Sequence, residues 1–322
     1  MKVLLLGGTG SVGRATARAL TDAGHQVAAL VRPSAETAVL DGFSLIRGEA
    51  TKSKDVENVV RSNGFDAIVS CLGSRTGLRQ DAWDVDYQAN ANALNAATAH
   101  GVGHFVMVSA ISVQRPVLPT HIAKRAVEKE LQDSKLNWSI VRPTVYFKTL
   151  ADQIDRLRAG KPFVLYGSGV DVQLKPISER DTARFVAECL TEPGYRNRIL
   201  PIGGPGPVTT PRAEADRLFK AFDLPPRFRH ASVGRLALKA KLLSGPGRIA
   251  PSLAKASELA QIEHYRATNS MLVWDAKARR YDADATPEVG EETASDYFAR
   301  LAGKDPSSTA VSYQIGEAND PA

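Results

Sequence analysis

Val3-Leu4-Leu5-Leu6-Gly7-Gly8-Thr9-Gly10-Ser11-Val12-Gly13 is the stretch that decides the fold. Four apolar residues read as a buried strand, Gly-x-x-Gly-x-x-Gly as a turn, and Ser11 to Ala23 as a helix with Val12, Ala15, Ala19 and Leu20 on one face. Glycine permits the tight turn and lets backbone N–H groups approach a pyrophosphate, which then faces the positive end of the helix. A glycine triplet alone is a weak signal; between a strand and a helix it is a strong one. Gly7, Thr9, Gly10, Ser11, Val12 and Gly13 are therefore the first candidate dinucleotide contacts.

Outward from that turn, short β-branched runs alternate with helix-like stretches. Gln26–Val31, Phe43–Ile46, Ala67–Ser70, His104–Ser109 and Trp138–Val141 read as strands. Asp86–His100 and Ile122–Asp133 read as helices between them. The alternation predicts an α/β protein, a doubly wound parallel sheet covered on both faces, with a smaller C-terminal substrate-binding part. Residues 1–150 form the expected dinucleotide-binding domain. Residues 151–302 form the second part, with about 175–202 returning to the first core through a helix at Glu179–Leu190. A further helix is expected at Pro211–Phe222. Residues 225–260, basic and broken by Pro and Gly, suggest a mobile cap, and 303–322 a disordered tail.

Roughly 20 residues past the glycines, the second strand ends on Arg32, with Ser34 close by. An NAD site commonly places an acid there for the ribose 2′-hydroxyl. Arginine instead pairs bidentately with a 2′-phosphate, so NADPH is the expected cofactor. A solvated loop arginine is the plainer alternative. Cys71-Leu72-Gly73-Ser74, after the fourth strand, falls where the adenosine half of a dinucleotide would lie.

Composition narrows the class. A formal charge of +6 favours anionic partners, but the cations are scattered with no dense basic run, which argues against nucleic acid. Cys71 and Cys189 stand far apart in no paired motif, so neither a disulfide scaffold nor a zinc site is expected. No apolar run approaches the ~18 residues of a membrane span, although peripheral membrane contact stays open. The glycine motif follows directly on the first strand, and a cytoplasmic location is expected.

These features resemble the short-chain dehydrogenase/reductase superfamily, a Rossmann-fold group, in its atypical branch. Members place Ser after the fifth strand and Tyr-x-x-x-Lys on the next helix. Here Ser109 and Lys124 match, but Thr120 stands where the tyrosine would be. The resemblance implies a ribose-holding role for Lys124, a cofactor contact at Ser109, and nicotinamide-carboxamide contacts at Pro143 and Thr144. Loss of the tyrosine removes the acid that protonates a carbonyl oxygen. It points to reduction of a carbon–carbon double bond, or to no catalysis.

Further segments carry a closer likeness: Val108-Ser109-Ala110-Ile111-Ser112-Val113-Gln114-Arg115-Pro116, Trp138 to Lys148, Lys175-Pro176-Ile177-Ser178, and Ile202 to Gly206. Ser270-Met271-Leu272-Val273-Trp274-Asp275 and Tyr281-Asp282-Ala283-Asp284-Ala285-Thr286-Pro287 discriminate best. Over about residues 1–300 the chain resembles the NADPH-dependent divinyl chlorophyllide 8-vinyl reductases. Plant members carry a transit peptide, and this chain looks bacterial beside them. The resemblance implies a tetrapyrrole substrate, divinyl chlorophyllide a or divinyl protochlorophyllide a, and hydride addition to a vinyl group conjugated with the ring. Lys124, Tyr146 and Lys148 are the catalytic candidates, with Lys175 a further possible proton donor. Trp274 is a candidate to stack on the macrocycle. Three other readings remain open: a non-catalytic NADP-binding regulator, a reductase of another conjugated alkene of the isoflavone-reductase type, and an assembly factor resting on a membrane complex. The C-terminal Trp274 and Tyr281 segments weigh against the second.

Overall fold

The structure is a computed structural model that describes residues 1–244 and 250–304. Seven strands form one parallel sheet: β1 (Lys2–Leu6), β2 (Gln26–Val31), β3 (Ser44–Arg47), β4 (Ala67–Ser70), β5 (His104–Val108), β6 (Asn137–Pro143) and β8 (Arg198–Ile202). Their order across the sheet is β3-β2-β1-β4-β5-β6-β8. Val3, Leu4, Leu5 and Leu6 are wholly buried, because helices cover both faces of the sheet. The chain leaves β1 toward one edge and returns at β4 on its other side. That reversal opens the crevice in which doubly wound sheets take their ligands, at the carboxyl ends of the strands.

One face is packed by helices α1 (Ser11–Asp22) and α8 (Glu179–Thr191), whose Ala17, Leu20, Phe185 and Val186 meet Leu5, Val69 and Val141. The buried residues of α1 are Gly13, Thr16, Ala17 and Leu20, one step round from the face expected; Val12 and Ala19 are only partly buried at its edge. The opposite face is packed by α2 (Ser53–Asn63), α4 (Ala89–Ala99) and α5 (Pro119–Asp133), with the short α3 (Arg79–Asp81) leading toward α4. Beneath the strand edge, the Glu128 carboxylate on α5 accepts from Arg142 Nε at 3.0 Å and Nη2 at 2.5 Å. Glu128 is wholly buried, so this pair joins α5 to β6 through desolvated charge.

The C-terminal half gathers its own core from Phe147, Phe163, Leu165, Leu218, Phe219 and Phe298. It contains the parallel pair β7 (Phe163–Tyr166) and β9 (Phe228–Ala231), and the hairpin β10 (Val273–Asp275) and β11 (Arg280–Asp282). Helices α6 (Phe147–Ala151), α7 (Ile154–Arg158), α9 (Pro211–Ala221) and α12 (Ala294–Leu301) supply the rest of that core. Residues 225–260 differ from the sequence reading. Within and beyond them stand two long helices, α10 (Val233–Ser244) and α11 (Pro251–Thr268). Pro251 occupies the first turn of α11, where a missing N–H costs nothing, so this proline starts a helix rather than breaking one. Most of the tail expected at 303–322 falls outside the described residues.

Candidate active site

The three motif glycines do different work. Gly7 has φ +75°, and a Cβ there would lie 2.7 Å from the Cys71 carbonyl oxygen. Gly13 lets α1 press on the turn, since its Cβ would lie 2.1 Å from Gly7 O. Gly10 precedes the helix in extended conformation and offers no side-chain cap. The first N–H groups of α1, at Ser11, Val12 and Gly13, are thus left for a ligand; its first turn carries no acid of its own, while Glu179 of α8 reaches the Ser11 side chain. Thr9 and Ser11 line the mouth of a cleft of about 1450 Å³ that runs along α1. This cleft reaches the glycine turn but not Ser109 or Lys124. The hydrogen-bond frame at the strand edge, rather than this cleft, therefore locates the chemistry.

Arg32 and Ser34 are exposed just beyond β2. Their loop is gathered by Arg47 at the end of β3, whose guanidinium donates to Arg32 O at 3.1 Å and Ala35 O at 3.3 Å. No sequence motif marked Arg47. After β4, Cys71 N bonds Leu6 O at 2.9 Å, holding the Cys71–Gly73 turn against the glycine turn. Burial pushes the Cys71 thiol up to about 11, so it is no nucleophile at neutral pH.

Ser109 follows β5, its N–H bonded to Val141 O at 2.7 Å and its hydroxyl buried with no hydrogen-bond partner among the described residues. Lys124 Nζ reaches the same edge, donating to Leu72 O at 3.0 Å and pairing with Asp86 at 3.1 Å. Thr120, one turn earlier, lies against Gly77. Pro143 and Thr144 are buried at the end of β6; Thr144 N donates to Ile202 O at 3.0 Å and its hydroxyl donates to Lys175 O.

The remaining candidates separate. The Tyr146 hydroxyl is buried near Glu179, Cys71 and Thr182, and burial raises it above the ordinary phenol range. Lys175 is buried and donates to Glu288 at 2.7 Å. Lys148 is exposed, with Asp152 and Glu179 in its field. Trp274 is already stacked: the Arg115 guanidinium lies 4.1 Å from its ring and Tyr281 meets it edge-on at 5.0 Å. Gln114 clamps the same hairpin, donating to Leu272 O at 2.6 Å and accepting from Trp274 N at 2.8 Å. Helix α11 closes over the turn after β4, where Glu258 accepts from Arg79 N at 2.8 Å, and Tyr265 packs edge-on against His121 at 4.7 Å. Among the described residues no group of His, Cys, Asp or Glu is placed to hold a metal, and no helix is long and apolar enough to cross a membrane.

The turn that glycine alone can form, the free helix amides and the lysine at the strand edge fit a dinucleotide. A family described as NAD(P)H-binding matches residues 7–193. The chloroplastic divinyl chlorophyllide a 8-vinyl-reductase of Arabidopsis thaliana is 37% identical over 319 residues, covering 94% of this chain and 76% of that protein. This chain belongs to the divinyl chlorophyllide a 8-vinyl-reductase family. The Oryza sativa subsp. indica relative of the same description is 36% identical over 315 residues, covering 93% and 78%. Among solved structures, the binary complex of leucoanthocyanidin reductase with NADPH from Vitis vinifera matches at a TM-score of 0.68 and 18% identity, over 94% of this chain and all of that one. That likeness is one of fold. As a member of this family the chain is an NAD(P)H-binding oxidoreductase with a Rossmann-like fold.

Proposed function

We infer that this protein uses NADPH to reduce the 8-vinyl group of a divinyl chlorophyllide-type pigment to ethyl. The observation that carries this is the relatedness to reductases of that description along 94% of the chain, including the C-terminal hairpin that clamps onto Gln114. Thr120 in place of a phenol fits the chemistry, because an alkene conjugated with a macrocycle has no carbonyl oxygen to protonate.

When bound, the nicotinamide supplies a hydride. The residues of the chain bind, orient and shield. The Gly7–Gly13 turn and the α1 amides would hold a pyrophosphate, Arg32 would pair with a 2′-phosphate, and Lys124 would hold ribose hydroxyls. Pro143 and Thr144, at the end of β6, would meet the carboxamide end, and α11 would cover the edge against water. The substrate needs a proton at the inner vinyl carbon. Lys148 is the candidate side chain whose proton is accessible, since Tyr146 is buried and Lys175 is engaged by Glu288. Divinyl chlorophyllide a and its protochlorophyllide counterpart share the reacting group and are both proposed substrates.

The test is incubation of purified protein with NADPH and divinyl chlorophyllide a in the dark, with absorbance and chromatography of the pigment. A blue-shifted Soret band and an 8-ethyl product support the reading. NADPH binding without conversion, beside an active control enzyme, refutes it.

A further inference from the structure

Arg115 stands directly after the 3₁₀ turn Ile111–Gln114, on the segment that leads from Ser109 to α5. Its guanidinium lies over the Trp274 ring at 4.1 Å, 5.8 Å from the Tyr281 ring and 3.4 Å from the Tyr281 hydroxyl. That hydroxyl donates in turn to Asn269 Oδ1 at 3.2 Å, at the end of α11. The hairpin strands carry two acids, and both are turned to their own backbone. Asp275 accepts from Lys277 N at 2.8 Å and Ala278 N at 3.0 Å, and Asp282 accepts from Ala285 N at 3.0 Å. Among the described residues no carboxylate pairs with Arg115, which is exposed. Aromatic faces hold a guanidinium flat without neutralising its charge. The result is a fixed, charged fork of the kind that meets a carboxylate with two parallel bonds.

The surroundings suit the edge of a flat, apolar ligand. Val117, Leu118, Tyr265 and Asn269 line a hollow of about 420 Å³ between the segment before α5 and helices α10 and α11. Asn269 belongs both to this hollow and to the Tyr281–Arg115 stack, which sets the cation beside it. The separation from the chemistry fits as well. In a chlorophyllide-type pigment the propionate carboxylate is borne on the ring diagonally opposite the one that carries the 8-vinyl group. Its partner must therefore stand a macrocycle's width from the hydride donor. The four residues of the 3₁₀ turn carry the chain roughly 8 Å onward from the Ser109 edge, at about 2 Å each.

We propose that Arg115, held by Trp274 and Tyr281, binds the free propionate carboxylate of the pigment and makes the protein selective for free-acid pigments over their esters. An ester keeps the ring and the vinyl group but offers no charge to the guanidinium. The inference rests on the pigment reading above and adds to it the substrate group that is recognised and the residue that recognises it.

The test compares divinyl chlorophyllide a with its methyl ester at saturating NADPH, in wild type and Arg115→Gln, reading kcat, KM and the ligand-free thermal midpoint. The expected wild-type KM is about tenfold lower for the free acid, at similar kcat. Arg115→Gln should raise the free-acid KM about tenfold and leave the ester's within about twofold, whatever loss of the stack does to the midpoint. Equal KM values for acid and ester in wild type overturn the proposal. So does a variant that raises both KM values equally, the signature of an arginine that only holds the hairpin. If Arg115→Gln does not fold, Arg115→Lys decides, since it keeps the charge without the fork. Its preference for the free acid should drop at least about threefold, and an undiminished preference overturns the proposal. Wild-type protein that binds NADPH but reduces neither pigment would sink the reductase reading. Fluorescence titration of the two pigments then decides this one: a free acid bound about tenfold tighter supports it, and equal binding overturns it.

Discussion

Gly13 and Gly10 differ by three positions and should fail in different ways when replaced by alanine. At Gly13 the new Cβ would stand 2.1 Å from Gly7 O, 2.7 Å from Gly7 C and 2.8 Å from Gly8 Cα. These are backbone atoms of a turn pinned by the Gly10 N–Gly7 O bond at 3.0 Å and by its packing on Cys71, so no flexible side chain can yield. Relief requires the turn to move by about 1 Å. Forcing one extra carbon into such a contact costs about 1–3 kcal/mol. For a chain of 322 residues that lowers the thermal midpoint by roughly 1.5–4.5 °C. At Gly10 the Cβ meets only Gly7 O, at 3.4 Å, and the backbone φ of −73° suits any residue. Gly10→Ala should therefore keep the ligand-free midpoint within about 1 °C. Its methyl group would project into the open edge in front of the α1 amides, so NADPH affinity should fall at least about tenfold, or ~1.4 kcal/mol. The assay is a thermal melt without cofactor beside an NADPH titration of each variant. Gly13→Ala should lose both stability and affinity, and Gly10→Ala affinity alone. Equal melts for the two variants, or wild-type affinity in Gly10→Ala, would refute the assignment of this turn.

Arg32→Ala should weaken NADPH about tenfold while leaving NADH unchanged, as read by parallel titrations; equal losses for both would remove the 2′-phosphate assignment. Glu128→Ala leaves the buried Arg142 guanidinium without its carboxylate and should cost about 3–5 kcal/mol in denaturant unfolding. Burial lowers both His104 and His121 to about 4, against about 6.5 in an unfolded chain. Between those values the unfolded chain binds protons that the folded one does not. Stability is thus full above about pH 6.5 and falls toward pH 4, by at most about 1.4 kcal/mol per pH unit for each histidine. Melts at pH 7.5, 6 and 5 measure the fall, and His104→Gln should flatten it.

Strands β1 to β6 and the glycine turn were legible because each rests on local pattern: an apolar run, a glycine spacing, a helix start at Ser11; β8 (Arg198–Ile202), interrupted by Pro201 at the sheet edge, was not. Ser109 and Lys124 were legible through spacing from a known motif. Asp86 was not, since a lone acid in a helical stretch signals nothing until a π-helical turn, Ala82–Gln88, brings it to Lys124. Arg47 was hidden for a similar reason, because its value lies in three carbonyls of a loop some twelve to fifteen residues earlier. The Trp274 and Tyr281 segments were conspicuous, but in the folded chain they hold one part to another. Trp274 stacks with Arg115, and the hairpin is latched by Gln114. Residues 225–260 misled because Pro251 reads as a breaker until its place at the start of α11 is seen.

The most direct test of the central claim is isotope transfer. NADPH carrying deuterium at the transferable C4 position is incubated with the protein and divinyl chlorophyllide a in ordinary water, and the pigment is analysed by mass spectrometry and NMR. The account predicts an 8-ethyl product one mass unit heavier, with the label on the terminal carbon. An 8-ethyl product without the label, or a divinyl pigment recovered unchanged while NADPH binds, would contradict it.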